Sequence, residues 1–148
     1  MDYNRYIKIL DETIAQINAN IGCNCDFEHQ GNYLKQLAKE ALKEIGVNNI
    51  ILSSIQTIGF PSEDLPIGGL YNTRDIRKEN KRVAYRQSVK AIVGILEQER
   101  ERLVKVQQEE AQLENVRLQK ESIKWAKIAA FAGIASIIVT IILYLCKI

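Results

Sequence analysis

From Ile128 to Cys146 the sequence holds no aspartate, glutamate, lysine or arginine, although these types make up 26% of its 148 residues. That gap excludes an ordinary solvated surface: its 19 residues are chiefly Ile, Ala, Leu and Val, and about 20 apolar residues cross a bilayer as a helix. The remaining chain, roughly 125 residues, suffices for one modest core and not for a two-domain enzyme. Histidine occurs once, at His29, so no Ser/His/Asp or Cys/His set with separate partners is visible. No Walker loop or dinucleotide fingerprint occurs, and the sequence predicts neither an enzyme nor a cofactor. Proline is limited to Pro61 and Pro66. Together with Gly68 and Gly69 they break regular structure between Gly59 and Thr73. From Arg74 onward there is no proline, and the only glycines are Gly94 and Gly133. Helix can therefore run almost unbroken into the apolar stretch.

Residues Met1 to Leu10 include Asp2, Arg5 and Lys8, so they lack the continuous apolar core of a secretory signal. The apolar stretch lies after Lys124 and Lys127, with only Lys147 and Ile148 beyond it, which reads as a tail anchor. Lys120, Lys124 and Lys127 place the N-terminal region on the cytosolic side by the positive-inside rule, while Trp125 and Tyr144 suit the two headgroup layers. A hydrophobic helix buried inside an oligomer is the competing reading. At 100° per residue, Ala126, Ala129, Gly133, Ser136, Thr140, Tyr144 and Lys147 share a stripe about 80° wide. Phe131, Ile134, Ile138, Ile141, Ile142 and Leu145 point elsewhere. Small residues allow close helix approach, and hydroxyls find partners across helices. Ala129, Gly133, Ser136 and Thr140 are thus the candidate oligomer or pore face, and periodicity leaves both roles open.

The pattern predicts an all-α fold with three regions: an N-terminal helical head with its loop over residues 1–73, a helical or coiled-coil stalk over 74–124, and a transmembrane anchor over 125–148. In the head, Tyr6, Ile7, Leu10, Ile14, Ile17 and Ile21 predict a helix over Tyr3–Ile21. Gly22–Asn32 reads as a loop. Leu34, Leu37, Ala38, Ala41, Leu42 and Ile45 predict a second helix from Tyr33 that stops at Gly46. Ile50, Ile51, Leu52, Ile55 and Ile58 predict a third buried helix within Val47–Phe60. Val89, Ile92, Leu96, Leu103, Val106 and Leu113 keep a heptad spacing, broken by Glu99, Glu110 and Arg117, so a coiled coil along a rod of roughly 100 Å would be imperfect. Its apolar stripe is buried either by the head helices folding back on its first third, by copies bundling, or by both.

Two clusters carry chemistry. Cys23, Cys25 and His29, with Asp26 and Glu28, supply three possible metal ligands where a structural zinc takes four from two close pairs; two ordinary thiols in a reduced loop are the simpler reading, and no metal is predicted. Arg74, Arg77, Lys78, Lys81, Arg82, Arg86 and Lys90 against Asp75 and Glu79 give +5 within 17 residues. The cluster follows a Gly68–Thr73 loop in which Asn72 or Thr73 is placed to cap the positive end of the next helix. Arg74, Arg77, Lys78, Lys81, Arg82 and Arg86 are therefore candidate ligands for a phosphate-bearing molecule. Tyr71 and Tyr85 are candidate stacking surfaces, so a nucleotide or short oligonucleotide is the expected class. A solvated basic face, or one paired with the acidic first helices, remains the alternative.

A helical cytosolic head with the basic segment Arg74–Lys90, joined to a small-residue span at Ala129, Gly133, Ser136 and Thr140, resembles the membrane effectors of bacterial anti-phage systems, of the Hailong type. That resemblance implies a head that responds to a nucleotide signal and an oligomer of spans that permeabilises the inner membrane. The other architecture-level reading is a tail-anchored scaffold or adaptor that recruits a protein partner without conducting.

Overall fold

The structure is a computed structural model that describes residues 2–21, 27–61 and 73–146, the side chains of 73–77 excepted. It is all-α, with helices α1 (Tyr3–Ala19), α2 (Phe27–Glu44), α3 (Asn49–Thr57) and α4 (Thr73–Leu145), and no strand among the described residues. The chain divides into two compact units, residues 1–105 and 106–148.

In the first unit three helix ends have a local chemical cause. Asp2 caps α1 by accepting from the Arg5 amide at 3.2 Å, and Asn48 caps α3 by accepting from Ile50 at 3.3 Å. Such caps satisfy otherwise orphaned amides and contribute about 1 kcal/mol each. α2 ends in a Schellman turn: Val47 donates to the Leu42 carbonyl and Gly46 to that of Lys43, both at 3.1 Å, with Gly46 at φ 72°. Glycine adopts that left-handed conformation without a Cβ penalty, while the turn's apolar clasp is supplied by buried Val47 and Leu42.

The core forms where the apolar faces meet. Leu10 and Ile17 of α1, Leu34, Ala38 and Leu42 of α2, and Ile55 of α3 are fully enclosed, together with Tyr85, Val89, Ile92 and Leu96 of α4. Ser88 donates to the Gly59 carbonyl at 2.6 Å, Arg100 pairs with Asp11, and Tyr85 packs on Phe27 and Phe60. Thr13, the buried hydroxyl on α1, donates to the Ile9 carbonyl four residues back at 2.7 Å, which offsets the loss of its water partner. The first third of the apolar stripe on α4 is thus covered within one chain by α1–α3.

Two local expectations change. Residues 27–32, read as loop, are the first turns of α2, and the half-buried Phe60 ring occupies the space that a side chain at Gly31 would take. Gly31 therefore serves close packing of the Phe60 ring rather than a bend. The third helix covers Asn49–Thr57 and not Val47–Phe60: Val47 is used to close α2, and Ile58 is extended at φ −64°, ψ 116°. Only Ile55 of α3 is buried, and Ile50 stands 69% exposed.

The second unit is one helical stretch, and every side chain from Gln108 to Cys146 is exposed within the single chain. By length and composition this helix is apolar enough to cross a membrane.

Candidate functional site

The basic segment lies on the first turns of α4. Arg74 and Arg77 belong to the helix, but their side chains are outside the described residues, as are Tyr71 and Asn72. α4 begins at Thr73, and the expected capping by Asn72 lies outside the described residues. Lys78 and Arg82 are exposed, Lys81 is half-buried, and Arg82 lies 3.7 Å from Glu79 in an exposed ion pair. Such a pair is worth at most about 1 kcal/mol and leaves Arg82 able to exchange partners. At 3.6 residues per turn, Lys78, Lys81 and Arg82 lie in line with buried Tyr85, one to two turns before it. Arg86 is turned to the flank of the helix.

On that flank the structure forms a shallow cleft of about 330 Å³, lined by Arg86, Gln87, Lys90 and Val83 of α4 and by Ile21 from the end of α1. Two cations stand beside largely apolar walls, and no carboxylate lines the cleft among the described residues. Its chemistry suits an anion with an apolar body. Lys78, Arg82, Arg86 and Lys90 follow one another at intervals of four and form one ridge along α4; of that ridge Arg86 and Lys90 line the cleft. Lys90 was counted in the sequence cluster but not among its ligands. Ile21 was read as the last apolar position of the first helix but lies just beyond α1, and nothing in the sequence marks it, Val83 or Gln87 as lining a cleft.

Tyr85 is not a stacking surface. It is 1% exposed, with its ring centroid 5.1 Å from Phe27 and 5.5 Å from Phe60, so no base can reach its faces. Glu99, read as a defect in a coiled-coil seam, is 7% exposed and bonded by Arg102 at 2.8 Å. Charge-assisted pairing one helical turn away offsets its burial. Cys23, Cys25 and Asp26 lie outside the described residues, and Glu28 and His29 are exposed on the first turn of α2. No group of three His, Cys, Asp or Glu able to hold a metal occurs among the described residues.

In the second unit, Ala129, Gly133, Ser136 and Thr140 fall on one face of α4, and beyond the adjacent residues and the helix's own backbone nothing described lies within 4 Å of where a Gly133 Cβ would be. The Thr140 hydroxyl donates to the Ser136 carbonyl at 2.9 Å. Its proton is therefore satisfied inside the helix, and only its oxygen lone pairs are offered to the small face. Comparison with protein-family models, with curated proteins and with solved structures gives no match.

Proposed function

We propose that this chain is a single-span membrane effector that self-associates through the Ala129–Gly133–Ser136–Thr140 face and permeabilises the bilayer, with its head in the cytosol. The observation that carries this reading is the sorting of an uncharged span into one small, weakly polar face and one bulky face. Lipid tails supply no reason for it, whereas close helix contact around a common axis does. A single helix cannot shelter an ion from hydrocarbon, so conduction needs several copies that turn this face inward. The Arg86–Lys90 cleft is the proposed seat of a nucleotide-like anion that controls the assembly. The resemblance to anti-phage membrane effectors adds the bacterial inner membrane as the location.

A non-conducting scaffold is the second reading. It is favoured by the Thr140 hydroxyl bond, which withdraws one of the span's polar protons from any water path.

Expression of the full chain is expected to slow growth and depolarise the inner membrane, read with a potential-sensitive dye. Ser136→Leu and Thr140→Leu, which dry and narrow the axis, are expected to remove most of that signal at unchanged protein level and membrane insertion. Reversal of Arg86 and Lys90 to Glu should alter its amplitude, while Lys8→Glu on the exposed face of α1 should not. A dye signal equal to that of an empty vector at confirmed expression would establish the scaffold instead.

A further inference from the structure

Immediately before the apolar stretch, α4 carries Arg117, Lys120, Lys124 and Lys127, all exposed. Intervals of three, four and three place them on one stripe about 80° wide at 3.6 residues per turn. Glu121 is the one acid among them. Arg117 is shared by Glu114 at 3.8 Å and Glu121 at 3.7 Å. Lys120, Lys124 and Lys127 have no ion pair among the described residues.

Depth along the helix selects the partner. Lys127 adjoins Ile128, and at 1.5 Å per residue Lys124 lies about 4.5 Å and Lys120 about 10 Å further from the span. The headgroup layer is about 5–8 Å thick on each side of the hydrocarbon, and charge acts beyond it over a Debye length of about 8–10 Å. Lys124 and Lys127 therefore stand at headgroup level and Lys120 within electrostatic reach of it.

Direction around the helix selects the side. The centre of the cationic stripe lies about 180° from the centre of the Ala129–Gly133–Ser136–Thr140 face, at 100° per residue within the same helical unit. If the cations faced a second copy, three lysines per chain would meet their equivalents at close range. If the small face packs inward, they point outward to the surrounding lipid.

We propose that Lys120, Lys124 and Lys127 form a binding stripe for anionic phospholipid headgroups on the outer surface of the assembly, opposite its small-residue interior. The proposal rests on the membrane span, and its test separates the two.

Trp125 is the only tryptophan in the chain, is 69% exposed, and lies between Lys124 and Lys127. It lies about 130° around the helix from the lysines, so Trp125→Phe with Phe131→Trp moves the reporter to a 72% exposed position in line with them, about one turn into the span. The full chain with both substitutions is reconstituted into phosphatidylcholine vesicles containing the same mole fraction of either dibrominated phosphatidylglycerol or dibrominated phosphatidylcholine, and insertion is confirmed by flotation. The stripe predicts an apparent preference for the anionic quencher of about fivefold, the worth of roughly one cation near the surface. The preference should disappear in Lys120→Gln/Lys124→Gln/Lys127→Gln and collapse near 1 M salt, where the Debye length is about 3 Å. Equal quenching by the two lipids in floated vesicles, or a preference that survives the triple substitution, overturns the stripe while leaving the span intact. Failure to float overturns both.

Discussion

Removal of residues 128–148 is expected to move the chain from the carbonate-washed membrane pellet to the soluble fraction. Between Ile128 and Cys146 the sequence places ten Ile, Leu, Val and Phe residues. At about 0.3–0.6 kcal/mol each near a helix centre they favour insertion by about 3–6 kcal/mol, a hundredfold or more in partition. The first unit retains its core without them, since Leu10, Ile17, Leu34, Leu42, Tyr85 and Ile92 are all buried within residues 1–105. The shortened chain should therefore be soluble and helical. Full extraction of the intact chain by alkaline carbonate would contradict a membrane span.

Tyr85→Ala is expected to produce the largest loss of stability in the head. The side chain is 1% exposed between two aromatic rings, and truncating a buried aromatic residue costs about 3–5 kcal/mol. A small domain has about 5–15 kcal/mol in total, so the variant approaches the threshold of folding. At about 4–8 °C per kcal/mol, the thermal transition of the head should fall by at least about 12 °C. Lys8→Ala serves as the control, because its pair with Glu12 is exposed at 3.7 Å. The measurement is circular dichroism of the detergent-solubilised full chain. A Tyr85→Ala transition within about 3 °C of the parent would show that the ring is not part of the core.

Helices were legible in the sequence where hydrophobic period and stop signals agreed. Leu10 and Ile17 mark the buried face of α1, and Gly46 ends α2 in the way its position suggested. The apolar seam at Val89, Ile92, Leu96 and Leu103 was equally clear, but periodicity reports a face and not what covers it. In the structure α1–α3 cover it within one chain. Gly31 misled because a glycine taken from sequence reads as a break, whereas here it makes room for Phe60. Tyr85 misled because it lies among cations; its spacing of four and seven from Val89 and Ile92 was the available signal that it belongs to the buried seam. The basic segment was legible as a quantity of charge but not as a geometry. Only the structure shows that Ile21 closes a cleft with Arg86 and Lys90 at the C-terminal end of that basic row. The cationic stripe near the span was visible as topology-setting lysines, and its direction emerges only when it is compared with the small face on the same helix.

The central claim, that copies meet through the small face of the span, is tested most directly by cysteine cross-linking in native membranes. With Cys23, Cys25 and Cys146 replaced by Ser, single cysteines are introduced as Gly133→Cys or Ser136→Cys on the small face, and as Ile134→Cys or Ile138→Cys on the bulky face. Close packing through the small face predicts rapid oxidation of the first pair to a covalent dimer and little or none for the second. Equal cross-linking at all four positions, or cross-linking confined to Ile134→Cys and Ile138→Cys, would contradict it.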